Sequence, residues 1–183
     1  MARPAHPPAG PATDGDLLDA AIRHVLRHPR ASLGELAAAA GVGRTTLFHR
    51  FPSRDALFHA MGVRAFAVVV ERLAPVADEG GLEELVAALL PVGPQLDFVW
   101  RTPAFDEDVE IGLLFLEFSS QLQQVLDRAE AAGQIRPGLP RGWAGQLVQS
   151  VCYVAWQEVD RGAMAPLDAP RHALEALLGG IGA

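Results

Sequence analysis

The chain has 183 residues, half of them hydrophobic, with a net charge of −7 and basic residues that are all arginine. That length allows one medium domain, or a small one plus a larger one, burying roughly two-thirds of the unfolded surface without disulfide or metal staples. A single cysteine, Cys152, excludes an internal disulfide, and the longest uncharged helical stretch, Gly142 to Gln157, is short of the roughly 20 residues a membrane span needs.

In chain order, residues 1–13 (MARPAHPPAGPAT) are proline-rich and expected to be disordered. They show no charged-then-apolar leader pattern, so a cytoplasmic protein without membrane attachment is expected. A first helix carries Leu18, Ala21, Ile22, Val25 and Leu26 as its apolar stripe. Ser32 and Glu35 form a capping box that starts a second helix, with Leu33, Leu36, Ala37 and Ala40 at helical spacing. Gly41 supplies the left-handed residue that ends it, and Val42 plugs the elbow. A third helix runs from about Arg44 to Arg50, with Leu47 and Phe51 inward and Arg44, Thr45, Phe48 and His49 on the opposite flank. Pro52 stops it, and Ser53 caps a fourth helix from near Arg54 that should end before Pro75.

Two short helices around a glycine turn are the layout of a helix-turn-helix, which places its second helix in the DNA major groove. The outward flank has the chemistry for groove reading, since arginine pairs with guanine edges, threonine methyls meet thymine methyls, and hydroxyls reach phosphates. Taken singly, Thr45, Thr46 and His49 are equally at home on a solvated helix; the caps, turn and flanking helices together favour groove reading.

Further helices are expected at about 81–90, 94–101, 107–132, 141–161 and 168–179, punctuated by prolines, and no alternating strand pattern is present. Phe98, Trp100, Phe105, Phe115 and Phe118 cluster in sequence and, with Met61 of the fourth helix, are candidates to line a small-molecule cavity. Ordinary core packing is the competing role for each. Glu117 either meets a cationic ligand or sits at the solvent edge, the latter being commoner for a single glutamate. The 141–161 helix is apolar around most of its circumference and so needs covering from more than one side. In so small a domain a partner subunit is the expected second cover. Its Trp143, Leu147, Val148, Val151, Cys152, Ala155 and Trp156, with Leu174, Leu177 and Leu178 of the last helix, are the candidate interface.

Catalytic and metal chemistry find little support. His24 and His28 have i, i+4 spacing but no third ligand nearby, so no metal is expected. The acids at 106–110 lack the spacing and glycine of a calcium loop and read as a solvated helix start. Cys152 sits among apolar neighbours with no histidine within sequence reach, and no phosphate-cradling glycine loop is present, so neither an enzyme nor a cofactor is expected. Charge divides the chain: residues 1–60 carry seven arginines against five acids, +2, whereas residues 61–183 carry eight against seventeen, −9. A DNA reader joined to an effector domain should differ in this way.

The segments LLDAAIRHVLRH (17–28) and SLGELAAAAGVGRTTLFHRFPSRDALF (32–58) resemble the N-terminal DNA-binding domain of the TetR family of transcriptional regulators. The resemblance implies an all-α protein. A three-helix DNA-binding domain at 14–60 would precede a helical effector-binding and dimerisation domain at 61–183. It implies DNA binding as a symmetric homodimer, a four-helix dimer interface from the last two helices, and a small-molecule effector. By the same resemblance Arg44, Thr45, Thr46 and His49 would face bases or phosphates, and Ser32 and Arg54 phosphates at helix N-termini. Two departures stand out. Phe48 occupies a position where the family usually has tyrosine, and can offer only apolar contact with a sugar or thymine methyl. His28-Pro29-Arg30 replaces the common glycine-aromatic turn. The expected function is a ligand-responsive regulator, most often a repressor in this family. The alternative is a helical dimeric binding module for a small molecule or protein that has lost DNA binding.

Overall fold

The computed structural model describes residues 13–140 and 142–182, apart from the Ile181 side chain. The tail expected at 1–13 lies outside that range except for Thr13, which caps the first helix: the Asp16 amide donates to Thr13 Oγ1 and the Thr13 amide to Asp16 Oδ2, each at 3.1 Å. Among the described residues there are nine α-helices: α1 Asp14–Arg27, α2 Leu33–Ala39, α3 Arg44–Arg50, α4 Arg54–Glu79, α5 Leu82–Leu89, α6 Gly93–Trp100, α7 Val109–Ala131, α8 Trp143–Asp160 and α9 Ala169–Ile181. Two short 3₁₀ turns, Leu90–Val92 and Pro103–Phe105, flank α6. No strand occurs among these residues, only an isolated antiparallel bridge between Ile135 and Gly182. The chain divides into two compact units between Arg64 and Ala65.

The first unit closes on Leu17, Leu18, Ala21, Ile22 and Val25 of α1, Leu36 and Ala37 of α2, Leu47 of α3, and Leu57 and Met61 of α4, all buried. Leu26, expected on the α1 stripe, is only half-buried because it stands at the stripe's edge. Arg64 grips the Asp19 carboxylate with two nitrogens, at 3.0 and 3.3 Å, fixing α4 to α1. Both local caps form as their residue types dictate. Ser32 and Glu35 exchange backbone-to-side-chain bonds at 2.7 and 3.3 Å, and the Ala56 amide donates to Ser53 Oγ at 3.0 Å.

In the second unit, α4 buries Ala65, Phe66, Val69, Leu73 and Ala77 along one side. The helix does not stop before Pro75, as the sequence suggested, but continues to Glu79. A proline removes one donor and crowds one carbonyl, and tertiary contacts can outweigh that cost. Here Ala77 is buried beyond it, and Arg128 of α7 donates to the carbonyls of Val76 (2.7 Å), Ala77 (2.6 Å) and Gly80 (2.8 Å). One guanidinium thus covers the end of α4, meeting the Ala77 and Gly80 carbonyls and sharing that of Val76 with the Gly80 amide. α8 packs against α5, α6, α7 and α9 of its own chain, which makes it the central helix of this unit.

Candidate nucleic-acid interface and effector site

The elbow of the first unit is built by backbone chemistry. Gly41 takes a left-handed φ of 70°, and the Gly41 and Val42 amides fold back onto the Ala38 and Ala37 carbonyls at 3.1 and 3.0 Å. α3 then leaves with Leu47 turned into the core and Arg44, Thr45, Thr46, Phe48 and His49 all exposed. Phe48 is 55% exposed, a large apolar ring turned to water on an otherwise polar flank. Ser32 is exposed, but its hydroxyl is engaged, donating to Glu35 Oε2 at 2.8 Å. The Ser32 amide and then its hydroxyl hold the Glu35 carboxyl below its ordinary pKa. Arg54 donates Nη1 to the Ala31 carbonyl at 2.7 Å and lies 4.6 Å over the Phe58 ring, so part of its guanidinium braces the fold. Arg50, not singled out from the sequence, pairs with Asp14 at 2.7 Å on the same unit.

The candidate pocket residues separate. Met61 belongs to the first unit and is fully buried there. Phe115 and Phe118 meet Phe66, ring centroids 6.0 and 6.3 Å apart, while Phe98 packs edge-on to Phe105 at 5.6 Å. Phe98, Phe105 and Phe118 are core; Phe115 and Trp100 are exposed. Beside them lies a polar centre that helical periodicity did not single out. Asp97 is only 4% exposed; Tyr153 of α8 donates its hydroxyl to Oδ1 at 2.7 Å, and Arg101 donates Nη1 to Oδ2 at 3.1 Å. The rings of Trp100 and Trp156 stand 5.5 and 5.7 Å from that of Tyr153. Trp156 in turn lies flat on Gly93, where any Cβ would overlap the indole. Gln121 of α7 is buried too: its amide nitrogen donates to Glu117 Oε1 at 3.2 Å and its oxygen accepts no hydrogen bond. An acid inside the apolar run Leu96-Asp97-Phe98-Val99 was the available signal for this centre.

The candidate dimer surface is corrected in part. Val148, Cys152, Ala155 and Leu177 are buried in their own protomer, and Trp156 is occupied by Gly93. α8 packs on α5, α6, α7 and α9 of its own chain, which accounts for the buried Val148 and Cys152, while Ala155 also lines an outward groove and Trp156 stays half-buried. Burial also pushes the Cys152 thiol up to about 12. What remains outward is a stripe of Trp143, Leu147, Val151 and Val154 along α8, with Leu174 and Leu178 on α9. Trp143 and Val154 are 52% and 54% exposed. A shallow apolar groove of about 290 Å³ follows this face, lined by Val151, Val154, Ala155, Met164, Ala173 and Ala176 among others. Leu167 in the α8–α9 connection is exposed beside it in sequence.

A helix-turn-helix with its polar flank open, joined to an all-helical unit with a buried polar centre, defines a DNA-binding transcriptional regulator. Residues 17–61 match the family described as bacterial regulatory proteins, tetR family. The HTH-type transcriptional repressor LfrR of Mycolicibacterium smegmatis is 33% identical over 162 residues, spanning 85% of this chain and 80% of that protein. The chain belongs to the TetR family. The crystal structure of LfrR in complex with proflavine superposes with a TM-score of 0.73 and 26% identity, covering 91% of this chain and 94% of that one. A TetR family regulator from Marinobacter aquaeolei shares the fold, with a TM-score of 0.67 at 18% identity over 91% and 94% of the two chains. No described helix is long and apolar enough to cross a membrane.

Proposed function

We propose that the protein is a ligand-responsive transcriptional repressor, acting in the cytoplasm as a homodimer on a palindromic operator and released by a small-molecule effector. The observation that carries the reading is the open flank of α3: Arg44, Thr45, Thr46, Phe48 and His49 lie exposed while Leu47 anchors the helix from behind. Arg44 suits a guanine edge, Thr45 a thymine methyl, and Phe48 an apolar contact with sugar or methyl where a tyrosine would seek phosphate. Thr46, His49, Ser32 and the nitrogens of Arg54 not spent on Ala31 supply phosphate contacts. Two copies are required because one such surface carries little positive charge, and half-sites about 34–36 Å apart match successive major grooves. The outward stripe on α8 and α9 supports a two-fold contact in which the same face serves both protomers.

Effector chemistry follows from Asp97. A buried carboxylate bonded to Tyr153, whose ring is flanked by Trp100 and Trp156, suits a planar organic cation, the class to which proflavine in the LfrR complex belongs. Such a ligand would release DNA by favouring the protein conformation whose recognition helices no longer match the operator. Gel shifts on DNA upstream of the protein's own gene, with and without proflavine, test both halves. A sequence-selective shift abolished by proflavine is the expected result. Failure of the free protein to shift any such DNA would favour the binding-module alternative.

A further inference from the structure

The partners of Asp97 differ in kind. Tyr153 approaches from α8, wedged between Trp100 and Trp156, with its hydroxyl 2.7 Å from Oδ1. Burial first, and the hydrogen bond to Asp97 second, push its phenol above the ordinary value, so it stays a donor across the neutral range. Arg101 brings the positive charge, yet through one nitrogen only, Nη1 to Oδ2 at 3.1 Å. Its side chain is 60% exposed against 5% for Asp97. A buried ion pair that secures a fold needs both partners held, and arginine secures a carboxylate best with two parallel hydrogen bonds. Arg101 has neither feature. It is the residue that closes α6, one turn beyond Asp97, so its attachment ties no distant element into place.

We propose that Arg101 is a built-in counter-ion standing where the effector's positive charge will bind. It occupies Asp97 Oδ2 in the ligand-free protein and swings into solvent when an organic cation settles against Trp100 and Tyr153. The proposal rests on reading the second unit as the effector domain for a planar cation. The exchange substitutes one cation for another at a single carboxylate, so Asp97 is at no stage left buried and bare, which would be the costly state. Arg101 gives up one hydrogen bond and regains hydration that its exposure already half supplies. The entering cation gains the carboxylate and an aromatic face. Selectivity follows: a neutral ligand of the same shape would displace Arg101 only by stranding the carboxylate, and an anion would be repelled.

Removing the competitor should therefore improve binding. Proflavine titrated into the full chain, followed by its fluorescence, is expected to bind Arg101→Gln about tenfold more tightly than wild type, the gain expected when an occluded state holding some nine-tenths of the molecules is abolished. Asp97→Asn, which keeps an acceptor for Tyr153, should bind at least about tenfold more weakly, and in its background Arg101→Gln should change nothing. Tightening in the single variant that persists in the Asp97→Asn background would show Arg101 to be a general obstruction and overturn the proposal. Wild type that binds proflavine no more weakly than Arg101→Gln would overturn it as well, leaving the planar-cation reading intact. If neither protein binds, that reading falls and the proposal with it. Should Asp97→Asn fail to fold, Arg101→Lys replaces it: this variant keeps the competing charge and should bind proflavine nearly as weakly as wild type, whereas tightening like that of Arg101→Gln would mark a general obstruction and overturn the proposal.

Discussion

The two units handle polar groups differently. In the first, caps close over three residues, Ser32 with Glu35 and Ser53 with the Ala56 amide, and the flank of α3 points outward. Its longer ties, Arg64 to Asp19, Arg54 to the Ala31 carbonyl and Arg50 to Asp14, are at most part-buried. In the second, polar chemistry is drawn inward and closes over long separations, as when Tyr153 meets Asp97 or Arg128 reaches the end of α4. A DNA reader must present its groups to a partner at the surface, so its interior can stay apolar. If the second unit is the effector domain proposed above, it must recognise a small molecule, and its polar groups are then buried and paired until the ligand arrives. Substitutions should accordingly separate into those that change binding alone and those that change folding.

The largest effect should come from the surface proposed to join two copies into one binding unit. Val154→Asp places a charge on the exposed stripe of α8, and the protomer should fold as before. Sizing with light scattering should show a monomer, and operator affinity should drop by about a hundredfold or more, since desolvating an unpaired charge at an interface costs several kcal/mol. A dimer that survives would move the interface elsewhere. Next, Gly93→Ala forces a methyl into the Trp156 ring, and unfolding stability should drop by about 1–3 kcal/mol, as overpacked cores do. Thermal melts unchanged within a degree would show that α6 and α8 can part without cost.

Arg44→Ala should do the reverse of Gly93→Ala, leaving the melting temperature unaltered while costing about 1–3 kcal/mol of operator affinity if it pairs with a guanine. A loss below a few tenths would remove Arg44 from the base-reading set. The smallest change expected is at Gln121. Replacing it with leucine removes an acceptor that no donor meets, and the free protein should gain about 1 kcal/mol of stability. Destabilisation instead would mean the Glu117 contact matters more than the orphaned oxygen. Acid titration sharpens the contrast further. The folded pKa of Glu35 is lowered, so its cap is intact above the carboxyl's ordinary value and is lost as pH falls through the folded one. NMR of the Ser32 amide should follow that transition, and Glu35→Gln should abolish it.

How much of this was legible in the sequence depended on the distance between interacting residues. The helix-turn-helix was readable because each instruction is local: a cap three residues from its partner, a glycine at φ 70°, an apolar residue every third or fourth place. The outward stripe of α8 was readable from the same periodicity. What periodicity could not reveal was which side of an all-round apolar helix faces its own chain. Val148, Cys152 and Ala155 were therefore grouped with Leu147 and Val151, although the first three are buried within their own protomer. Pro75 misled for a related reason, because the carbonyls beyond it are held by Arg128, more than fifty residues further along.

By itself, then, the sequence determined the helical class, the DNA-reading unit and the face of α3 left open, because those follow from backbone capping and spacing within a few turns. Only the tertiary structure decided where α8 is exposed, where α4 ends, and that a lone acid in an apolar run sits against the chain's single tyrosine. Those depend on contacts whose partners are dozens of residues apart, and no local pattern encodes which of many apolar faces will meet.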